Sequence, residues 1–184
     1  GSIVVNERME TSAKDIYAVG DAVEIRHTVT GQKTLLSLAG PANKQGRIAA
    51  DNICGGNCVY RGAQGSFVLK LFDLTAAATG INEQMAREAG IGCNKIYLAP
   101  SSHAGYYPGG QTMTIKVVFE TGTFRLLGAQ IVGREGVDKR IDVLAAAIRA
   151  GMTGPELSEL DLAYAPPYSS AKDPVNMAGF MMEN

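Results

Sequence analysis

Residues 113–132 constrain the fold most. Met113 to Glu120 alternates, with Ile115, Val117 and Phe119 on one side, and Phe124 to Val132 comes after Thr121-Gly122. Successive strand side chains point to opposite faces, so this pattern predicts two half-buried strands joined as a hairpin. Val137, Ile141, Leu144, Ala145 and Ile148 then recur at helical spacing as far as Gly151, and Thr153-Gly154-Pro155-Glu156 reads as a capping box opening a further short helix. Upstream, Phe67 to Phe72 and Thr75 to Ile81 are expected as strands around Asp73-Leu74. Asn82 is expected to cap a helix through Glu83, Met85, Ala86 and Ala89 that ends at Gly90, and Lys95 to Ala99 to form a strand. The class is α+β: an antiparallel sheet with helices on one side.

Composition shifts near Tyr60-Arg61-Gly62-Ala63-Gln64-Gly65, and a boundary there divides the chain into 1–62 and 63–184. In the first part, Pro41 to Ile53 is expected as a helix, because proline is tolerated in a first turn and Gly55-Gly56 stops the helix. Its packing stripe reads as Ala42, Gln45, Gly46, Ala49, Ala50 and Ile53. Before it, Ile16 to Val19 reads as a short buried strand. Gly20 then permits close backbone approach, and Asp21 presents a carboxylate at the strand end. A carboxylate accepts hydrogen bonds and donates none, which suits a pair of sugar or polyol hydroxyls. The start of the Pro41 helix carries partial positive charge and free N–H groups, the ingredients of an anion site.

The chain has 184 residues and a net charge of −1, which gives no electrostatic case for nucleic acid or an anionic membrane. No apolar run is long enough to span a bilayer and no signal peptide is visible, so a cytoplasmic protein is expected. Cys54, Cys58 and Cys93 lack the spacing of a redox pair or zinc knuckle, and His27 and His103 lie too far apart in sequence to suggest a metal site. His27, in a polar loop, is expected to be exposed.

The stretch Thr11 to Asp21 resembles the second flavin motif of the FAD-dependent pyridine nucleotide-disulfide oxidoreductases. Thr79-Gly80-Ile81-Asn82-Glu83 and Leu127 to Gly133 resemble the dimerisation domain of the same family. The resemblance implies the C-terminal remnant of a Rossmann-like FAD domain followed by a dimerisation domain. It also implies that the first FAD motif, the NAD(P)H domain and the redox cysteine lie upstream of this chain, so that the chain alone is inert. Asp21, with Gly20, is expected to hold the ribityl chain, and the helix start at Ala39, Gly40 and Ala42 to face the flavin pyrimidine edge.

The tail Tyr164-Ala-Pro-Pro-Tyr-Ser-Ser-Ala-Lys-Asp-Pro-Val-Asn176 and the loop Ser102-His103-Ala-Gly-Tyr106-Tyr107-Pro108-Gly109 are similar to those of coenzyme A-disulfide reductases and related NADH oxidases. The glutathione-type catalytic His–Pro tail is absent. This likeness implies an NAD(P)H- and FAD-dependent homodimer reducing coenzyme A disulfide, or a CoA persulfide or polysulfide. An NADH oxidase or peroxidase, or a non-catalytic dimerisation module, is the alternative. Tyr106 and Tyr164 are expected to stabilise thiolate charge at the partner subunit's cysteine, with Tyr107 the alternative to Tyr106. Lys172 and Asn43 are expected to contact substrate. The resemblance also extends to relatives that continue into a fused rhodanese domain downstream.

Overall fold

The computed structural model describes residues 1–182. The chain divides into two units between Gly65 and Ser66.

In the first unit, strands β1 (Ile25–Arg26) and β2 (Lys33–Thr34) pair antiparallel, and α1 spans Ala39–Ile53. Met9, Val23, Ile25, Ala49 and Tyr60 form its core. Ile16 to Val19 is not the expected buried strand: only Tyr17 makes a bridge, to Glu10, while Ile16 and Val19 are exposed. The cause is local. The Thr11 amide and hydroxyl both donate to the Ile16 carbonyl at 2.9 Å, and Asp15 turns through φ 62°. The chain therefore closes a tight loop where a strand would extend.

The helix begins at Ala39, before Pro41, because Leu38 is still extended. Its buried residues are Gln45, Ala49 and Asn52, whereas Ala50 and Ile53 are exposed. The expected stripe holds at Gln45 and Ala49 but shifts from Ala50 and Ile53 onto Asn52, an amide that satisfies backbone groups. The Asn52 amide donates to the carbonyls of Arg8 and Cys58 at 3.0 and 2.9 Å, and its oxygen accepts from the Cys58 N–H at 2.8 Å.

His27 is buried, contrary to expectation, with 2% exposure. Its Nδ1 accepts from the Val29 N–H at 3.2 Å inside the β1–β2 turn. A side chain that satisfies its own turn is drawn in even where the sequence around it is polar.

In the second unit, strands β3 (Phe67–Leu71), β4 (Leu74–Gly80), β5 (Cys93–Leu98), β6 (Thr114–Glu120) and β7 (Leu126–Gly133) form one sheet in the order β3-β4-β7-β6-β5, every pair antiparallel. The β6–β7 hairpin is the one the alternation predicts. Strand β7 starts at Leu126 because Phe124 sits at φ 57°. Helices α2 (Glu83–Glu88), α3 (Val137–Ala150), α4 (Gly154–Ser158) and α5 (Pro174–Met182) complete the unit. Asn82 caps α2 by accepting from the Met85 N–H, and the Thr153–Glu156 capping box opens α4.

Register places Ala77, Thr79, Ile115, Val117, Ala129 and Ile131 on one face, all buried, and α3 packs against β4 and β7 there. The helices do not all lie on that side. Glu83 of α2 pairs with Lys95 and Lys116, whose side chains alternate onto the opposite face. Those two ammonium groups hold the Glu83 carboxyl down at about 2. Toward the β3 edge the same opposite face leaves Phe67, Leu69, Leu71, Leu74 and Val132 exposed.

Two glycines let β4 and β7 meet backbone to backbone. A Cβ on Gly80, at φ 71°, would overlap the Leu127 carbonyl, and one on Gly128 would overlap the Ile81 backbone. Gly128→Ala is expected to lower the free energy of unfolding by about 2 kcal/mol or more, read from urea denaturation.

Burial holds the His27 pKa below its ordinary 6.5, against a smaller opposing pull from the Gln64 backbone. The unfolded chain then binds the extra proton more readily, so this contribution to stability is complete above pH 6.5 and is lost as the pH falls below it. Urea titrations between roughly pH 7.5 and 5.5 are expected to show weakening on acidification, with a flatter dependence in His27→Gln.

Candidate functional site

The loop after β5 is tied shut at its base. The Ser102 N–H donates to the Gln111 carbonyl at 2.8 Å, and the Gln111 N–H donates to Ser102 Oγ at 3.1 Å. Within it, the Tyr107 N–H donates to the Ala104 carbonyl at 2.9 Å. The tail turns at Ala165, whose carbonyl accepts from Tyr168 and Ser169. One amide then joins loop to tail: the Ala104 N–H donates to the Ser169 carbonyl at 3.0 Å and the Pro166 carbonyl at 3.3 Å.

This junction brings together two tyrosines 58 positions apart, with Tyr106 Oη 2.7 Å from Tyr164 Oη. Tyr107 turns elsewhere, edge-on to the buried His103 ring at 5.5 Å and 83°. Of the two neighbouring tyrosines, Tyr106 is the one that meets Tyr164, while Tyr107 meets His103.

A hydrogen-bonded phenol pair has a definite chemistry. One hydroxyl spends its proton on the other oxygen. The second keeps its proton for an outside acceptor, and accepting a bond makes it a stronger donor. The bond to Tyr106 is the main reason the Tyr164 phenol lies above its ordinary 10.0. Tyr164 therefore stays protonated at physiological pH, and a neutral hydroxyl donor suits an anion such as a thiolate. Both rings are exposed, Tyr106 to 76% and Tyr164 to 46%, so within this chain the donor faces outward.

In the first unit, Gly20, at φ 84°, opens a short 3-10 turn, Gly20–Ala22, that carries Asp21. The Gly20 N–H donates to Gln45 Oε1 at 2.7 Å, which fixes that turn against α1. Gln45 was not singled out in the sequence as a site residue; its signal is a polar residue in a stripe of small apolar ones. Ala39 and Gly40 form the exposed first turn of α1, no side chain caps it, and Ala42 lies just inside. A Cβ at Gly20 would meet open space, and Asp21 is exposed. An accessible carboxylate and an uncapped helix start fit the polyol and ring-edge contacts a flavin needs. A separate cleft of about 530 Å³ in this unit is lined by Met9, Ile25, Arg26, Lys33, Tyr60 and Arg61 among others, none of them expected from the sequence to form a site.

Asn43 is exposed on the first turns of α1. The Lys172 ammonium lies 5.0 Å above the Phe180 ring. Among the described residues no group of three or more His, Cys, Asp or Glu side chains could hold a metal ion, and no helix is long and apolar enough to cross a membrane. The sequence reading also missed Arg140 and Asp173, which pair in the interior of the second unit at 3.0 Å. An Asp before Pro at a helix start was the available signal for Asp173.

Residues 67–174 match the family described as pyridine nucleotide-disulphide oxidoreductase, dimerisation domain. The chain belongs to this family. It is 39% identical, over 95% of its length, to an NAD(P)H coenzyme A polysulfide/persulfide reductase of Pyrococcus horikoshii. It is 38% identical, over 98% of its length, to a coenzyme A disulfide reductase of Staphylococcus haemolyticus. It covers only 39% and 41% of those proteins. A solved NAD-dependent persulfide reductase from A. fulgidus matches all of this chain with a TM-score of 0.97 and 47% identity, and the match spans 34% of that structure. The mixed helix and antiparallel sheet of the second unit is the fold expected of the family's dimerisation domain.

Replacing Tyr106 by Phe removes the bond that raises the Tyr164 phenol. Spectrophotometric titration near 295 nm is expected to show one tyrosine moving down toward 10.0 in Tyr106→Phe.

Proposed function

We propose that this chain is the C-terminal part of an NAD(P)H- and FAD-dependent reductase of coenzyme A disulfide, or of the related CoA persulfide or polysulfide. The 2.7 Å phenol pair carries the reading. The names of the relatives support coenzyme A–sulfur compounds as the substrate class.

Reducing a disulfide breaks its S–S bond with two electrons and two protons and yields two thiols. The reductant NAD(P)H supplies a hydride, and solvent supplies the remaining proton. The nucleophilic cysteine lies outside this chain; Cys54, Cys58 and Cys93 are not assigned that role. Attack by a thiolate and departure of a thiolate both place negative charge on sulfur, and a preorganised neutral donor stabilises that charge without reorganising. Tyr106 and Tyr164 supply such a donor. Because both face outward, their sulfur belongs to a second copy of the protein, and we assign a homodimer. The apolar face of β3 and β4, exposed at Phe67, Leu69, Leu71 and Leu74, supports a surface that other parts of the assembly cover.

In the first unit, which we assign to the end of the FAD domain, the Asp21 carboxylate would accept from ribityl hydroxyls. The uncapped start of α1, at Ala39, Gly40 and Ala42, would place its positive dipole end at the flavin's pyrimidine edge. When bound, FAD supplies the electron relay between pyridine nucleotide and cysteine. Lys172 and Asn43 are assigned to coenzyme A contacts, the lysine as a mobile cation for phosphate. The location assigned is the cytoplasm, where thiols are kept reduced.

Steady-state rates of the full-length protein with coenzyme A disulfide, oxygen and hydrogen peroxide test this. Coenzyme A disulfide is expected to be preferred, and Tyr164→Phe to lower kcat for it by about 10- to 100-fold. Faster turnover of oxygen or peroxide, or an unchanged rate in Tyr164→Phe, would overturn the proposal.

A further inference from the structure

Arg140 on α3 is 1% exposed. The two N–H groups of its Nη2 are shared among four acceptors, the Ser102 carbonyl at 2.9 Å, Asp173 Oδ2 at 3.0 Å, and the Tyr168 carbonyl and Ser169 Oγ, each at 3.3 Å. Its Nε reaches Asp173 Oδ1 at 3.5 Å and its Nη1 the Gly136 carbonyl at 3.2 Å. These acceptors belong to different segments. Ser102 is on the loop that carries Tyr106, Tyr168 and Ser169 are on the tail that carries Tyr164, Asp173 precedes α5, and Gly136 precedes α3.

A buried ion pair seldom stabilises more than well-packed apolar side chains of the same volume. Stability alone therefore does not account for an arginine here. What a guanidinium adds is a planar fork of donors held in one geometry. Its surroundings are built to keep it. Ser169 Oγ donates to Asp173 Oδ2 at 2.5 Å and the Val175 N–H donates to Asp173 Oδ1 at 3.0 Å. Burial pushes the Asp173 carboxyl up, but the Ser169 hydroxyl, the Val175 amide and Arg140 together hold it below the ordinary carboxylate value, so the counter-charge is kept. Gly136, at φ 74°, leaves the space that the guanidinium fills; a Cβ there would overlap Nη1.

We propose that Arg140 is a positioning residue for the phenol pair: by clamping the Ser102 carbonyl and the Tyr168–Ser169 segment to one guanidinium, it sets the separation of Tyr106 and Tyr164. Ala104 fastens the same two segments with one amide, so the pair hangs from two adjacent cross-links, and the guanidinium is the one that also anchors α5. The catalytic consequence rests on the function proposed above; the geometric consequence does not.

Arg140→Lys in the full-length protein tests both. It keeps the charge and removes the fork. The chain has seven tyrosines, so Tyr164 is read as the difference between each protein and the same protein carrying Tyr164→Phe. In folded Arg140→Lys, confirmed by circular dichroism, the raised Tyr164 titration is expected to fall toward 10.0 as the phenols separate. Turnover of coenzyme A disulfide is expected to lose about tenfold in kcat, with KM changed by less than roughly threefold. Ser169→Ala, which leaves Arg140 in place but removes one of its acceptors, is expected to shift Tyr164 the same way by less, and serves should the lysine variant not fold. A Tyr164 titration unmoved in the folded variants would overturn the clamp. If the wild-type protein fails to reduce coenzyme A disulfide, the proposed function falls, while the titration still decides the clamp.

Discussion

The second unit depends on how closely two backbones approach where β4 leaves the sheet. Gly80 lies opposite Gly128, and the Ile81 N–H donates to the Leu127 carbonyl at 2.9 Å, with no room for a side chain at either glycine. That approach ends β4 at Gly80 and delivers Asn82 as the cap of α2. It also leaves Glu83 where it can hold Lys95 and Lys116 from the strands on the far side of the sheet. The same crossing explains why Thr79 to Glu83 and Leu127 to Gly133 stand out in the sequence. They are the two sides of one contact, and the residue types are dictated by the absence of space.

Where the physics is local, the sequence was legible. Alternation marked the β6–β7 hairpin, and Thr153 and Glu156 announced their own capping box. The Gly151 stop of α3 carries the left-handed φ of 74° that such an end requires. Where a residue's place is set by a partner far along the chain, the reading failed. Ile16 to Val19 looks like a strand until Thr11 folds back on Ile16. The inward face of α1 was expected to pass through Ala50 and Ile53, yet Asn52 is buried in their stead because backbone groups of Arg8 and Cys58 need partners. Burying an amide is costly unless it is bonded, and nothing nearby in sequence reveals that the bond exists.

The candidate site divides along the same line. Tyr106 and Tyr164 were named from resemblance, and Gly20 and Asp21 from a short local motif. The arginine that reaches both tyrosine-bearing segments was invisible, because the acceptors it finds on those segments are backbone carbonyls and a serine, whose types carry no signal. Lys172, expected at the substrate, lies over Phe180.

The exposure of the phenols bears on how they can act. In water, a neutral donor competes with solvent for any anion it meets, and the attraction between charges is small. The same donor becomes effective once water is excluded, because the field at the anion is no longer screened and the donor has already been oriented. A pair held at 2.7 Å but open to solvent is therefore preorganised without yet being powerful. On the proposed function, a covering surface would have to bring the sulfur with it. Under the function proposed above, a donor that faces outward from a dimerisation domain would meet both needs at once: the association that covers the phenols would also present the thiolate, and assembly would switch the chemistry on.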